Sequence, residues 1–200
     1  MKKLFLLTIF TLLVFSCSKK ENTVSKTTVI VSFTHNWDGT TVSKSDFSTI
    51  KFTNENGEEI SIERLRHLIS NIILSDNNNQ EIIIKEYQLV DLGEEKGLQF
   101  IVENIPIGDY KLSFTFGFSD ADNQDGIYQD LNTANFNVPG MLGGGYHYMQ
   151  FDGTYLNISN SEMPFNYHAI RAVDRTTPSN PLYQDTSFIV NLEAVTITNN

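Results

Sequence analysis

The stretch YKLSFTFGF, residues 110–118, contains the clearest strand pattern in the sequence. Apolar and polar side chains alternate through it. One face of an extended chain would carry Tyr110, Leu112, Phe114, Phe116 and Phe118. A period of two is typical of a strand that faces a core on one side and solvent on the other. We therefore predict a core-lining strand here, and the same pattern elsewhere decides the fold class.

Further runs of this kind are separated by turn-forming clusters such as Asn54–Gly57 and Asp152-Gly153. They cover residues 27–35, 81–91, 98–103, 145–151, 165–170 and 187–197. Only residues 62–73, IERLRHLISNII, have helical spacing, and we read them as a short helical turn that leads into a strand. Many short strands without an internal repeat predict an all-β protein, an antiparallel β-sandwich with Greek-key-like connections.

Two long loops are expected, at residues 120–139 and 174–185. The first contains Asp120, Asp122 and Asp125, whose carboxylates are ligands of the kind that calcium takes. The spacing departs from that of an EF-hand loop. A calcium site and a solvated acidic loop are both compatible with this composition.

The first residues predict export and a lipid anchor. Lys2 and Lys3 precede an apolar run of about a dozen residues, shorter than the ~20 that a membrane-spanning helix needs, so residues 1–16 are interpreted as a signal peptide. Residues 14–17, VFSC, resemble a lipobox, and Cys17 is the only cysteine, which excludes an intrachain disulfide. Acylated Cys17 would hold the protein at the outer membrane, on its periplasmic or outer side; a free thiol is the alternative.

The organisation that follows is a flexible tether over residues 17–27 and a single domain over 28–200. The chain carries 14 basic and 24 acidic residues, a net charge of −10, so nucleic acid is not an expected partner. No nucleophile elbow, zinc-hydrolase histidine pair or phosphate-binding glycine loop is present in the sequence. We therefore expect a binding protein and not an enzyme.

Several blocks, read in order, resemble the MbnP-like family of secreted and lipid-anchored bacterial proteins, named for a copper-binding partner encoded beside methanobactin genes. They are VSFTHNWDG (31–39), ISIERLRHLISNIIL (60–74), YQLVD (87–91), NIPIGDYKLSFTFGFSD (104–120), GYHYMQFDGTY (145–155) and PFNYHAI (164–170). The resemblance implies an all-β, non-enzymatic domain that binds copper through histidines. In some members a tryptophan that is oxidised by a dihaem enzyme assists in copper binding. The resemblance therefore makes such an enzyme, or an outer-membrane transporter, an expected partner.

The candidate copper ligands are histidines in or near predicted strands. His35, His147 and His168 lie in the matching blocks, and Met149 follows His147 on the same predicted face. Imidazole and thioether groups suit copper(I), and three strands can converge on one rim. Trp37, the only tryptophan, is the candidate for redox modification, although tryptophans more commonly precede the GY strand in this family. We leave out His67, because Arg64 and Arg66 flank it.

Two other interpretations remain open. A histidine in an aromatic strand is often a satisfied core or surface residue without a metal. The protein could instead be a metal-independent module that binds a glycan or another envelope protein through exposed rings, for which Tyr128, Tyr155 and Tyr183 are the tyrosines to inspect.

Overall fold

The computed structural model describes residues 24–176 and 182–199 and confirms the all-β, antiparallel sandwich-like fold. Its strands are β1 Lys26–Ser32, β2 His35–Trp37, β3 Thr40–Val42, β4 Phe52–Thr53, β5 Glu59–Ile60, β6 Arg64–Asp76, β7 Glu81–Asp91, β8 Gln99–Pro106, β9 Gly108–Phe116, β10 Met149–Leu156, β11 Glu162–Ala169, β12 Ala172–Asp174, β13 Leu182–Gln184 and β14 Phe188–Ile197. One α-helical turn, α1, covers Gln129–Thr133, and 3₁₀ turns cover Lys44–Asp46 and Gly140–Leu142. Among the described residues, no helix is long and apolar enough to cross a membrane.

An eight-stranded sheet organises the molecule. Its central path runs β14-β9-β6-β10-β5-β4, while β7 pairs with β6 and β11 pairs with β10. The ribbon of β1 and β8 packs over one face of this sheet, where its inward side chains meet a cluster that includes Ile69, Ile72 and Leu74. This packing of two layers around an apolar cluster is the arrangement that the alternating strands favour.

The predicted helical turn at the start of residues 62–73 is wrong, because β6 begins at Arg64 and extends to Asp76. Leu68, Ile69 and Ser70 are all buried, so both faces of this central strand are covered. A strand covered on both faces loses the simple period of two, and its apolar residues can imitate helical spacing. Asn71, with a φ of 48°, lies in a register shift against β9 that disturbs the pattern further.

The boundaries of the domain and its loops also differ from those expected. β1 begins at Lys26, inside the predicted tether, where Lys26 pairs with Pro106 and Thr27 with Ile105. Residues 1–16 and Cys17 lie outside the described residues. β9 ends at Phe116, so Phe118 is not in that strand and packs in a separate cluster with Tyr146 and Leu131. The second predicted loop is partly strand, because Asp174 ends β12 and residues 182–184 form β13, which pairs antiparallel with β12.

Residues 143–145, GGG, allow two loops to approach closely. Gly144 and Gly145 have φ values of +66° and +75°, which L side chains rarely adopt. A Cβ atom on Gly145 would lie 2.5 Å from Asn123 Oδ1, and one on Gly144 would lie 2.6 Å from Asp125 Oδ2. The glycines therefore bring the 120–125 loop against the chain that enters β10.

Candidate functional site

Strand β10 lies between β6 and β11, and its two faces carry two different histidine pairs. Met149 is directly opposite His67 of β6 and Ala169 of β11. The next residue, Gln150, is opposite Arg66 and His168. Because successive side chains of a strand point to opposite faces, Met149 and His67 share one face and Gln150 and His168 share the other.

On the first face, His35 of β2 lies against His67, and their ring centroids are 5.3 Å apart. Met149 occupies the position directly across from His67, where Cβ atoms of opposed residues are about 5 Å apart. We call these three residues the imidazole–thioether cluster. The ring of Phe116 stacks on that of His67, with ring centroids 6.5 Å apart. The cluster thus joins two imidazoles and a thioether in largely apolar surroundings.

Both imidazoles of this cluster favour the neutral form. Burial lowers the pKa of His35. Burial also lowers the pKa of His67, with a further contribution from the charge of His35, to about 4. Within the part of the chain that the structure describes, no hydrogen bond engages a ring nitrogen of His35 or His67. Neutral rings with free nitrogen lone pairs are the form in which histidine binds a metal.

Trp37 lies two residues after His35 in β2 and covers the same face of the sheet. Its ring centroid is 5.7 Å from that of Phe52 and 6.1 Å from that of Phe151. Its indole N–H donates to the carbonyl oxygen of Thr53 at 2.8 Å, so the ring is fixed in orientation. Trp37 and Met149 line the same cavity, which places the indole beside the cluster.

On the second face, His147 and His168 form an edge-to-face pair with ring centroids 5.0 Å apart. His147 Nδ1 lies 3.0 Å from the carbonyl oxygen of Phe136 and must donate to it, because a carbonyl cannot donate. His168 Nε2 lies 2.8 Å from Asp152 Oδ1, and Arg64 binds the other oxygen of this carboxylate at 3.1 Å. The pair therefore belongs to a polar network in which each ring already makes a hydrogen bond.

Charges of both signs lie near the second pair. Burial lowers the pKa of His147, and the charges of His168 and Arg66 lower it further, against the opposing effects of its hydrogen bond to Phe136 and of the charge of Asp152. Burial raises the pKa of Asp152, but its hydrogen bonds with Asn166 and His168, together with nearby positive charge, outweigh that effect and leave the pKa below its usual value. An added cation would meet the guanidinium of Arg66 here.

The predicted ligand set of His35, His147, His168 and Met149 is divided between these two places. His147 was expected to share a face with Met149, but β10 begins at Met149 and not at Gly145. The backbone before it is held elsewhere: the N–H of His147 donates to Phe136, and that of Tyr148 to Ala169. This irregular entry directs His147 toward Gln150, on the other face. The prediction of a single rim of three histidines is therefore wrong.

Sequence reasoning missed His67. In a strand, Leu65 and His67 lie on the face opposite Arg64 and Arg66, so the flanking arginines do not surround the imidazole. Reading residues 62–73 as a strand from the start would have shown this separation.

The candidate calcium loop does not bring its carboxylates together. Asp122 accepts from the hydroxyl of Ser119 at 2.8 Å, Asp125 accepts from the backbone N–H of Gly145, and Asp120 lies 4.0 Å from Arg171. Asp122 and Asp125 thus each satisfy a separate local donor, whereas Asp120 Oδ1 is buried without a hydrogen-bond partner among the described residues. Across residues 24–176 and 182–199, no three histidine, cysteine, aspartate or glutamate residues form a group that could hold a metal ion.

The three tyrosines singled out for stacking differ in exposure. Tyr128 is half-buried among aromatic rings, including Phe118 at 4.6 Å and Tyr87 at 4.7 Å between centroids. Tyr183 is exposed, but the guanidinium carbon of Arg171 lies 4.0 Å from its ring centroid. Tyr155 is half-buried and lines the cavity beside Trp37.

Comparison with known proteins agrees with this architecture. One solved structure, MbnP from Methylosinus trichosporium, matches with a TM-score of 0.56 and 13% sequence identity, over 84% of this chain and 72% of that one. At this identity the match supports the fold. A search of curated proteins gives no match. The MbnP family model matches residues 26–199, nearly the whole domain. On that match, the chain belongs to the MbnP family.

Proposed function

We propose that this protein binds a single copper(I) ion at the imidazole–thioether cluster of His35, His67 and Met149. The observation that carries the proposal is the meeting of two neutral, unpaired imidazoles with a thioether on one face of the sheet. Family membership adds an independent reason to look for copper, through the resemblance described above.

The spacing of the two rings suits one ion. A metal lies about 2 Å from a ligating ring nitrogen, and therefore about 3 Å from the centre of that ring. Two imidazoles on one ion then have centroids no more than about 6 Å apart, and those of His35 and His67 are 5.3 Å apart. Met149 supplies the third donor from the neighbouring strand. Imidazole suits copper, and a soft thioether favours copper(I) over harder ions.

The electrostatic surroundings distinguish the cluster from the His147–His168 pair. Arg64 and Arg66 project from the face of β6 opposite His67, so the sheet separates them from the cluster. The second pair lies on the arginine side and is hydrogen-bonded to Phe136 and Asp152. A carboxylate behind a histidine is a common feature of metal sites. Here, however, Arg64 already compensates the charge of that carboxylate.

We further propose that the protein works at the cell envelope as a binding protein and not as an enzyme. The signal peptide predicted over residues 1–16 and the lipobox-like residues 14–17 support anchoring through Cys17 to the outer membrane. Trp37, beside the cluster, is the residue that we propose for redox modification by a dihaem enzyme. An outer-membrane transporter is the other proposed partner.

Copper loading of single-site variants tests the metal proposal. The purified domain, wild type or with His35→Ala, His67→Ala, His147→Ala or His168→Ala, is loaded with copper(I) under reducing, oxygen-free conditions, desalted and analysed for metal. We expect about one copper per wild-type chain, retention in the His147 and His168 variants, and loss in the other two. Loss only in the His147 and His168 variants would move the site to the opposite face, and equal copper in all five proteins would reject it.

A further inference from the structure

A cavity of about 510 Å³ opens beside Trp37, on the same face of the sheet as the imidazole–thioether cluster. We call it the aromatic groove. Its wall residues are Trp37, Asn54, Glu58, Ile60, Met149, Phe151, Tyr155, Phe165 and Tyr167. The volume is within the range of small-molecule sites, about 300–1,000 Å³.

Aromatic rings form most of the groove. Phe151 contacts Trp37 at 6.1 Å and Phe165 at 5.0 Å between centroids, so these three rings form a continuous floor. Tyr167, one wall of the groove, leaves 61% of its surface exposed. Together these rings give the groove a largely apolar wall that is partly open to solvent.

The polar end of the groove is acidic. Glu58 Oε2 accepts from the side-chain amide of Asn54 at 2.7 Å, and Asn54 Oδ1 accepts from the backbone N–H of Glu58 at 3.0 Å, so the carboxylate is held in place. An adjoining cavity, which shares Trp37, Asn54 and Tyr167, adds Asp38 and Glu55. Among the described residues that line either cavity, none is lysine, arginine or histidine.

We propose that the aromatic groove binds a small aromatic molecule that carries one cationic ammonium group. Rings attract a cation over their faces, and a carboxylate at the rim adds to this attraction. An apolar body on the ligand would displace water from Phe151, Phe165 and Ile60. A neutral aromatic molecule would gain only the displacement of water from these apolar side chains. An anionic one would be repelled by Glu58 and by the net charge of the chain.

This site does not depend on copper. Met149 contributes to both the groove and the cluster, but the rings and acidic residues that define the groove are present without a metal. The binding test is therefore made on protein freed of copper by chelation. Failure of copper loading and failure of ligand binding are then separate results.

Trp37 is the only tryptophan, so its fluorescence reports directly on the groove. The probe is benzyltrimethylammonium, with benzyl alcohol and benzenesulfonate as neutral and anionic comparisons. We expect saturable quenching by the cation with a Kd of about 1 mM or lower, at least about fivefold tighter than for benzyl alcohol. No saturable quenching, or equal affinity for the three probes, overturns the proposal.

Two variants locate the binding. Tyr167→Ala should weaken binding of the cation about fivefold, and Glu58→Gln about threefold, because an exposed carboxylate is screened by solvent. Glu81→Gln, which removes an exposed charge from β7, should leave the affinity unchanged. Tyr167→Leu replaces Tyr167→Ala if circular dichroism shows that the latter does not fold. Unchanged affinity in the Tyr167 and Glu58 variants would place the ligand elsewhere and overturn the assignment.

Discussion

His67 of β6 and Met149 of β10 are directly opposite each other in register, and His35, from the β2–β3 hairpin, contacts His67 on the same face. Cross-strand neighbours have their positions fixed by the backbone ladder, so two of the three proposed donors sit on the most constrained part of the sheet. The third comes from the short ribbon of β2 and β3, which is joined to the sheet through Trp37 and its aromatic contacts. The cluster therefore combines two donors on paired strands of the main sheet with one donor on the β2–β3 hairpin.

Met149→Leu should weaken copper(I) binding at least about tenfold while leaving the fold intact. Leucine keeps the volume and apolar character of methionine but has no sulfur donor. Loss of a direct ligand should cost no less than loss of a supporting residue, which typically reduces metal affinity about 10- to 100-fold. Competition with a chromophoric copper(I) chelator measures the affinity.

Met163→Leu, on β11, is the matched control for this variant, because Met163 is 41% exposed and is not one of the proposed ligands. Its copper affinity should equal that of the wild type. Equal affinities in both methionine variants would remove the thioether from the proposed site.

His67 should make the stability of the metal-free protein depend on pH. Its pKa is about 4 in the folded chain, because burial and the nearby His35 disfavour the imidazolium, against 6.5 for an ordinary histidine. As the pH falls below 6.5, the unfolded chain takes up the proton first, so folding stability is full above 6.5 and declines toward pH 4. The contribution lost between pH 7.5 and pH 5 is about 2 kcal/mol.

Urea unfolding of the wild type and His67→Gln at these two pH values measures that contribution. The variant retains the other titrating groups, so the difference between the stability losses of the two proteins from pH 7.5 to pH 5 is due to His67. Equal stability losses would show that His67 titrates normally and that its ring is better solvated than the structure indicates.

The fold could be predicted from the sequence wherever a strand has one exposed face. Residues 110–116 alternate because one side of β9 meets the apolar cluster around Tyr110 while Lys111 remains exposed. The central strand β6 could not be read in the same way, since Leu68, Ile69 and Ser70 are buried together. Burial on both faces removes the polar positions by which a period of two is recognised.

The site was predicted only in part, because the strands that carry it were also hard to recognise in the sequence. His35 and Met149, both in the predicted ligand set, lie on one face of the sheet, but His67 was left out because Arg64 and Arg66 flank it in the sequence. His147 was assigned to the wrong face because the chain before Met149 departs from a regular strand. The alternation of side chains assigns a residue to a face only within a regular strand. The starts of β6 and β10 could not be located from the sequence.

Arg66→Ala should destabilise the fold by about 3 kcal/mol, whereas Arg64→Ala should cost about 1 kcal/mol or less. Both arginines lie on one face of β6, but the side chain of Arg66 is 11% exposed and that of Arg64 48%. Arg66 donates to the carbonyl oxygens of Ala134 and Asn135 and to Gln150. Its removal leaves the half-buried carbonyl oxygen of Ala134 and the buried side-chain oxygen of Gln150 without this donor, whereas the exposed carbonyl oxygen of Asn135 can bond to water. Urea unfolding midpoints measure the loss of stability in each variant. Similar losses of stability in the two variants would contradict the structural role of Arg66.

Cys17→Ala should move the full-length protein from the membrane fraction to the soluble fraction without unfolding it. Acylation requires the thiol of Cys17, and Cys17 precedes the first strand of the sandwich, β1, which begins at Lys26. Cell fractionation combined with metabolic labelling by a fatty-acid analogue makes the measurement, and Ser18→Ala serves as the control. A Cys17→Ala protein that still incorporates the label would refute the predicted lipid anchor.

Gly145→Ala should cost more stability than Gly126→Ala, although both glycines have a φ of +75°. The backbone strain is therefore common to the two variants and amounts to about 1 kcal/mol. At Gly126 an added Cβ has no neighbour within 4 Å, whereas at Gly145 it lies 2.5 Å from Asn123 Oδ1 and 2.8 Å from the Asn123 carbonyl oxygen.

Asn123 is fully buried, and its Oδ1 accepts from the backbone N–H of Tyr146 at 2.7 Å, so it cannot move aside without losing that bond. We expect Gly145→Ala to cost about 2–3 kcal/mol more than Gly126→Ala, as overpacking of a filled site does. Denaturant midpoints of the two variants give the difference. Equal losses would mean that residue 145 needs glycine only for its backbone angle, and that the 120–125 loop can retreat from the entry to β10.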